Sequence, residues 1–86
     1  MSQAVLEQAK AKLAKSPERE KPLRAAWNRV CDVLHPHFSA MRPKPKVYEV
    51  HHATEVARAA FLAAFCDGKP DEACVAAALA RLGIDA

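Results

Sequence analysis

Residues 21–34 read KPLRAAWNRVCDVL, and this stretch decides the fold. Leu23, Ala26, Trp27, Val30, Cys31 and Leu34 recur at i, i+3, i+4 and i+7, the repeat of one helical face. Arg24, Asn28, Arg29 and Asp32 take the other side. Pro22 suits the first turn of a helix, where a missing N–H breaks no internal hydrogen bond. The spacing predicts an amphipathic helix over 21–34. Pro36 is expected to end it, because a proline disfavours helical geometry in the residue before it.

The same repeat extends outward in both directions. Upstream, Val5, Leu6, Ala9 and Leu13 form one stripe of a helix over 2–15, capped by Ser2 and ended by SPEREKP. Lys10, Lys12 and Lys15 gather toward its carboxyl end, where cations suit the helix dipole. Downstream, ATEVARAAFLAAFC (53–66) is apolar nearly all round. Leu62 and Phe65 share the face of Glu55 and Arg58, so this helix is expected to be central or covered by a partner. Gly68 suits its carboxyl cap. A fourth helix over 70–82 opens on Pro70, Asp71 and Glu72, acids that complement its positive end. Gly83 stops it, and Ile84 is placed to fold back onto Leu79. The expectation is all-α: one domain over 1–86 with four helices, and a proline-rich basic loop, 35–52, between the second and third.

Composition bounds the rest. An 86-residue chain with 51% hydrophobic and 27% charged residues is ordinary for a single globular domain. Alanine inflates the first figure, and the bulky apolar set is thin. A core of this size gives only ~3–5 kcal/mol, so association with a partner or with a second copy is expected. The most apolar run, AAFLAAF, is far shorter than the ~20 residues of a membrane span. The amino terminus lacks the basic start and apolar block of a secretory signal. Three cysteines, an odd number, fit reduced thiols in a cytoplasmic protein better than a disulfide framework. No membrane association is expected.

Charge is unevenly spread. Residues 1–46 hold ten Lys/Arg against four Asp/Glu, a net of +6, and residues 47–86 hold three against six, a net of −3. Such asymmetry is expected to steer an acidic partner toward the first half, or to let two copies pair head to tail.

The stretch 34–52, LHPHFSAMRPKPKVYEVHH, gathers all four histidines and three of the six prolines. Within it, Val47 to Val50 suits either a short extended piece or the lead-in to the next helix. A connection this long between helices is commonly functional, since helix–helix connections in bundles take ~2–8 residues. It is read as a docking loop for another protein, with Phe38, Met41 and Tyr48 as anchors and Arg42, Lys44 and Lys46 as a charged rim. The alanine-rich faces of helices three and four (Ala57, Ala60, Ala64, Ala73, Ala76, Ala77 and Ala80) add a surface that permits close approach of a partner helix. The size and character resemble those of small accessory proteins of phages and mobile elements, a likeness of type without a shared motif.

The rival reading is nucleic-acid binding. Lys10, Lys12, Lys15, Arg42, Lys44 and Lys46 are the candidate phosphate contacts, with proline in RPKPK holding its lysines on an extended backbone. Helices three and four with the DGKP turn have the outline of a helix-turn-helix. The second of them, however, opens with two acids and offers no side chain that reads a base edge.

Catalytic and metal chemistry find weaker support. Cys31 and His35, four apart, share a helical face, and His37, His51 and His52 are the candidates to complete a tetrahedral zinc set, yet no C-x2-C pair accompanies them. The same pair lacks an orienting third residue for nucleophilic catalysis. Ser2, Ser16, Ser39 and Thr54 lack a neighbouring base, and the two glycines read as helix caps rather than a phosphate loop. His35-Pro36 is similar to the opening of the His-Pro-Asp loop of J-domain co-chaperones, but His37 replaces the aspartate, so nothing is carried over. No enzymatic activity and no cofactor are expected. Four clustered histidines would make partner binding sensitive to pH near 6.

Overall fold

The structure, a computed structural model, describes residues 3–84. It is all-α, with four helices and, among the described residues, no strand: α1 (Gln3–Lys15), α2 (Glu20–Ala40), α3 (Val47–Cys66) and α4 (Asp71–Arg81). The Ser2 cap expected for α1 lies outside the described residues. A single 3-10 turn, Pro17–Arg19, joins α1 to α2, with Pro17 at its first position and Pro22 in the first turn of α2.

The expected helix limits of 21–34 and 53–66 and the expected loop of 35–52 need correction. α2 runs through Pro36 to Ala40 and α3 begins at Val47, so only 41–46 connects them. Pro36 removes one donor, the one that would meet the Asp32 carbonyl, and one lost bond does not stop a helix whose next turn packs. That turn carries Phe38, which rests against the core. At the start of α3, Pro45 precedes an extended Lys46 (ψ 156°), and the Lys46 N–H donates to Glu49 Oε1 at 2.9 Å. A carboxylate three residues into a helix reaching back to the cap residue is half of a capping box, and it specifies the start at Val47.

The carboxyl ends of α3 and α4 are alike. Gly68 (φ +81°) and Gly83 (φ +71°) adopt the left-handed conformation. Gly68 N donates to Phe65 O and Lys69 N to Ala64 O; Gly83 N donates to Ala80 O and Ile84 N to Leu79 O. Both ends are Schellman motifs, the second with the Ile84–Leu79 closure expected from the sequence.

Packing is asymmetric. α4 doubles back along α3 in the most extensive helix pair and also packs on α2; α1 packs on α3, while α2 and α3 touch each other little. The core is apolar throughout, with Val30, Phe61, Phe65, Cys74 and Leu79 fully enclosed. Each large side chain so enclosed contributes about 1.5–3 kcal/mol. Trp27 meets Phe61 edge to face at 5.4 Å. Two ion pairs, Arg19–Asp71 at 2.8 Å and Arg29–Glu72, tie the amino end of α4 to the turn before α2 and to α2 itself. Leu62 and Phe65, on the face of Glu55 and Arg58, are both buried, as a central helix requires.

The molecule measures 44 × 24 × 18 Å, with a radius of gyration of 13.2 Å against ~12 Å for a compact chain of this length. The excess length is the hairpin of α2 and α3.

Candidate functional site

Helix length creates the site. At ~1.5 Å per residue, α2 and α3 are each about 30 Å long and α4 about 16 Å. Running back from the carboxyl end of α3, α4 reaches only to about residue 55 of that helix. Beyond it, the upper parts of α2 and α3 stand as an arm, and among the described residues no further element lies between them. No residue from 35 to 56 is buried.

Between the two limbs of this arm lies a groove of about 530 Å³. α2 lines it with Cys31, Leu34, His35 and Phe38, and α3 with Val47, Val50, His51 and Thr54. Each set is spaced i, i+3, i+4, i+7, so each limb turns one helical stripe inward. On α3 the stripe is continuous with the core: Val47, Val50, Thr54, Ala57, Phe61 and Ala64 follow one another at steps of three and four. The lower members are covered by the rest of the fold, and the upper ones are not. Thr54 donates its hydroxyl to the Val50 carbonyl at 2.8 Å, so this lining residue brings no unpaired polar group to the groove.

Electrostatically the groove is one-sided. Its lining contains no carboxylate; Lys44 is its one charged side chain, and His35 and His51 stand on opposite walls. At the mouth, the Arg42 guanidinium donates to the carbonyls of Ser39 (2.9 Å) and Met41 (2.8 Å), capping the end of α2. The Lys46 ammonium lies 5.9 Å from the centre of the Tyr48 ring. Burial, reinforced by the neighbouring Asp32 charge, pushes the Cys31 thiol up from its ordinary value. A raised thiol is the opposite of what a nucleophile or a thiolate ligand needs.

The expected anchors and rim fall into three places. Phe38 is half-buried on the α2 wall, and Lys44 lines the groove. Met41, Arg42 and Lys46 cap the tip. Tyr48 is 68% exposed on α3 and outside the groove lining. The residues expected to dock a partner therefore lie in part on helices, not on one loop. Sequence reasoning did not place Leu34, Val47, Val50 or Thr54 in a site, and it singled out His51 only as one of the clustered histidines; the three-and-four repeat that runs on from Ala57 and Phe61 was the signal for most of them.

Other candidates separate. Lys12 bonds the Phe65 carbonyl at 2.9 Å and belongs to the fold, while Lys10 and Lys15 are exposed on α1. This group sits at the carboxyl end of α3 and RPKPK at its amino end, on the order of 30 Å away. The six basic residues form no continuous face. Of the alanines, Ala57 and Ala64 are enclosed in the core and Ala76 and Ala80 are exposed, with Ala60, Ala73 and Ala77 between. Among the described residues no three His, Cys, Asp or Glu are placed to hold a metal ion, and Cys31, His35 and His37 do not converge on one. No described helix is long and apolar enough to cross a membrane.

Comparison with known protein families, with curated proteins and with solved structures gives no match, so the site stands on its own geometry.

Proposed function

We propose that this chain is a non-enzymatic docking module that holds a segment of another protein in the groove between the upper parts of α2 and α3. One observation carries this reading: two inward stripes, continuous with the core, whose upper members no described element of the fold covers. An uncovered apolar seam of this kind marks an interaction site. The groove is open along its length, which suits a macromolecular segment better than a small molecule, whose pockets enclose ~70–90% of the ligand. Val47, 80% exposed, and Met41, 41% exposed, extend the apolar surface to its rim. The module acts by occupancy, as a regulatory or accessory protein does.

The test places a photoreactive residue at position 50, inside the groove, and another at Glu18, outside it, in cells. A protein adduct at position 50 that is absent at Glu18 supports the reading. Equal adducts, or none, overturn it.

A second reading, nucleic-acid binding, rests on Arg42, Lys44 and Lys46 at the tip. Fluorescence anisotropy against duplex DNA, single-stranded DNA and RNA at two salt concentrations separates the two. Binding that falls steeply with salt and is lost when the three residues are neutralised puts nucleic acid first. A flat titration leaves protein docking in place.

A further inference from the structure

Resting on the docking reading, we infer that the groove is the seat of an acidic amphipathic helix supplied by a partner protein, lying where a longer α4 would continue. The geometry gives the shape. In the lower half of the molecule a helix, α4, packs against both α2 and α3, which barely touch each other. In the upper half the same two helices present stripes at helical spacing, and among the described residues no third helix arrives. What completes that arrangement is another helix, with an apolar stripe at i, i+3 or i+4, and i+7.

Charge gives the polarity. Residues 35–56 carry Arg42, Lys44 and Lys46 against Glu49 and Glu55, and within the lining Lys44 faces no acid. Glu49 is held by the Lys46 N–H on its own helix, 2.9 Å away. A partner helix with Asp or Glu beside its stripe meets Lys44 directly and the tip cations at longer range, while a basic helix is repelled. The same charges disfavour a second copy of this chain. Two arms would bring their cations together, and the amino-terminal acids of α4 are already paired with Arg19 and Arg29.

The experiment is a selection of displayed random peptides of about 16 residues, long enough to form a marginal helix, against the full chain. It is repeated against Val50→Asp and Lys44→Glu. Both positions lie outside the buried core, and circular dichroism confirms that each variant folds. Selected peptides are expected to share an apolar helical stripe with an excess of Asp and Glu. They are expected to be lost on Val50→Asp, and the best acidic peptide should weaken about tenfold on Lys44→Glu. Lys44→Glu should also turn the selection toward basic peptides. Winners without acidic excess, or indifferent to Lys44→Glu, overturn the acidic class and leave docking intact. Winners rich in proline, with no helical stripe, overturn the helix. Winners retained by Val50→Asp overturn both this inference and the groove itself. A dimer of the wild-type chain that Val50→Asp dissociates, seen by sedimentation, replaces the partner helix with a second copy.

Discussion

The ammonium of Lys12 lies 2.9 Å from the carbonyl oxygen of Phe65 and 5.2 Å from the centre of the same residue's ring. One side chain of α1 thus closes the carboxyl end of α3, where terminal carbonyls lack helical partners and the dipole is negative. Lys12→Met keeps the aliphatic stem and deletes the charge. It is expected to cost about 1–2 kcal/mol in urea unfolding. Lys10→Met, on the exposed face of the same helix, should change stability by less than about 0.5 kcal/mol. Equal effects would mean that the contact contributes nothing.

Pro36 is exposed and inside α2, so it gives the helix no core contact while withholding a donor from Asp32. Pro36→Ala is expected to stabilise the chain by about 1–3 kcal/mol, since proline in a helix interior costs roughly that amount against alanine. Hydrogen exchange should localise the gain to residues around 32–40. A loss of stability would show that the proline ring itself supports the arm.

Cys74 is fully enclosed, and burial, with a smaller contribution from the Asp71 charge, raises its thiol above the ordinary value of 9.0. The folded chain therefore keeps the proton that the unfolded chain releases. Stability should be level below about pH 9 with respect to this group, and should fall as pH rises above that value toward the folded pKa. Cys74→Ala lowers stability at neutral pH by opening a small void, yet its stability should fall less steeply from pH 9 to 10. A parallel fall in both proteins would assign the alkaline loss to other groups.

The all-α class, the four helices and both glycine caps were legible because each rests on local signals: apolar repeats, Gly68, Gly83 and the Ile84 closure. The arm was not. Val47, Tyr48 and Val50 are residue types that favour strands, and Lys46 is no ordinary cap residue, so the start of α3 rested on Glu49 alone. Pro36 carried an apparent stop signal that the packing of Phe38 on the next turn overrode. The groove followed from these two errors together. A loop of 35–52 has no limbs, whereas two helices meeting at 41–46 have facing stripes. Phe38 and Lys44 were found because an aromatic and a lysine among prolines stand out, while Val50 and Thr54 look like any helix interior.

From residue 35 to residue 56 no side chain is buried, and every fully enclosed residue lies outside that span. On the docking reading proposed above, most of the groove lining is separate from the residues that hold the fold, and Leu34 and Phe38 belong to both. Substitutions at Lys44, Val47, Val50 and His51 would then change which helix is accepted while the enclosed residues stay untouched. Exchanging 39–53 for another helical hairpin tip of equal length leaves Phe38 in place and should yield a folded protein, with a new preference if the groove docks a helix as proposed.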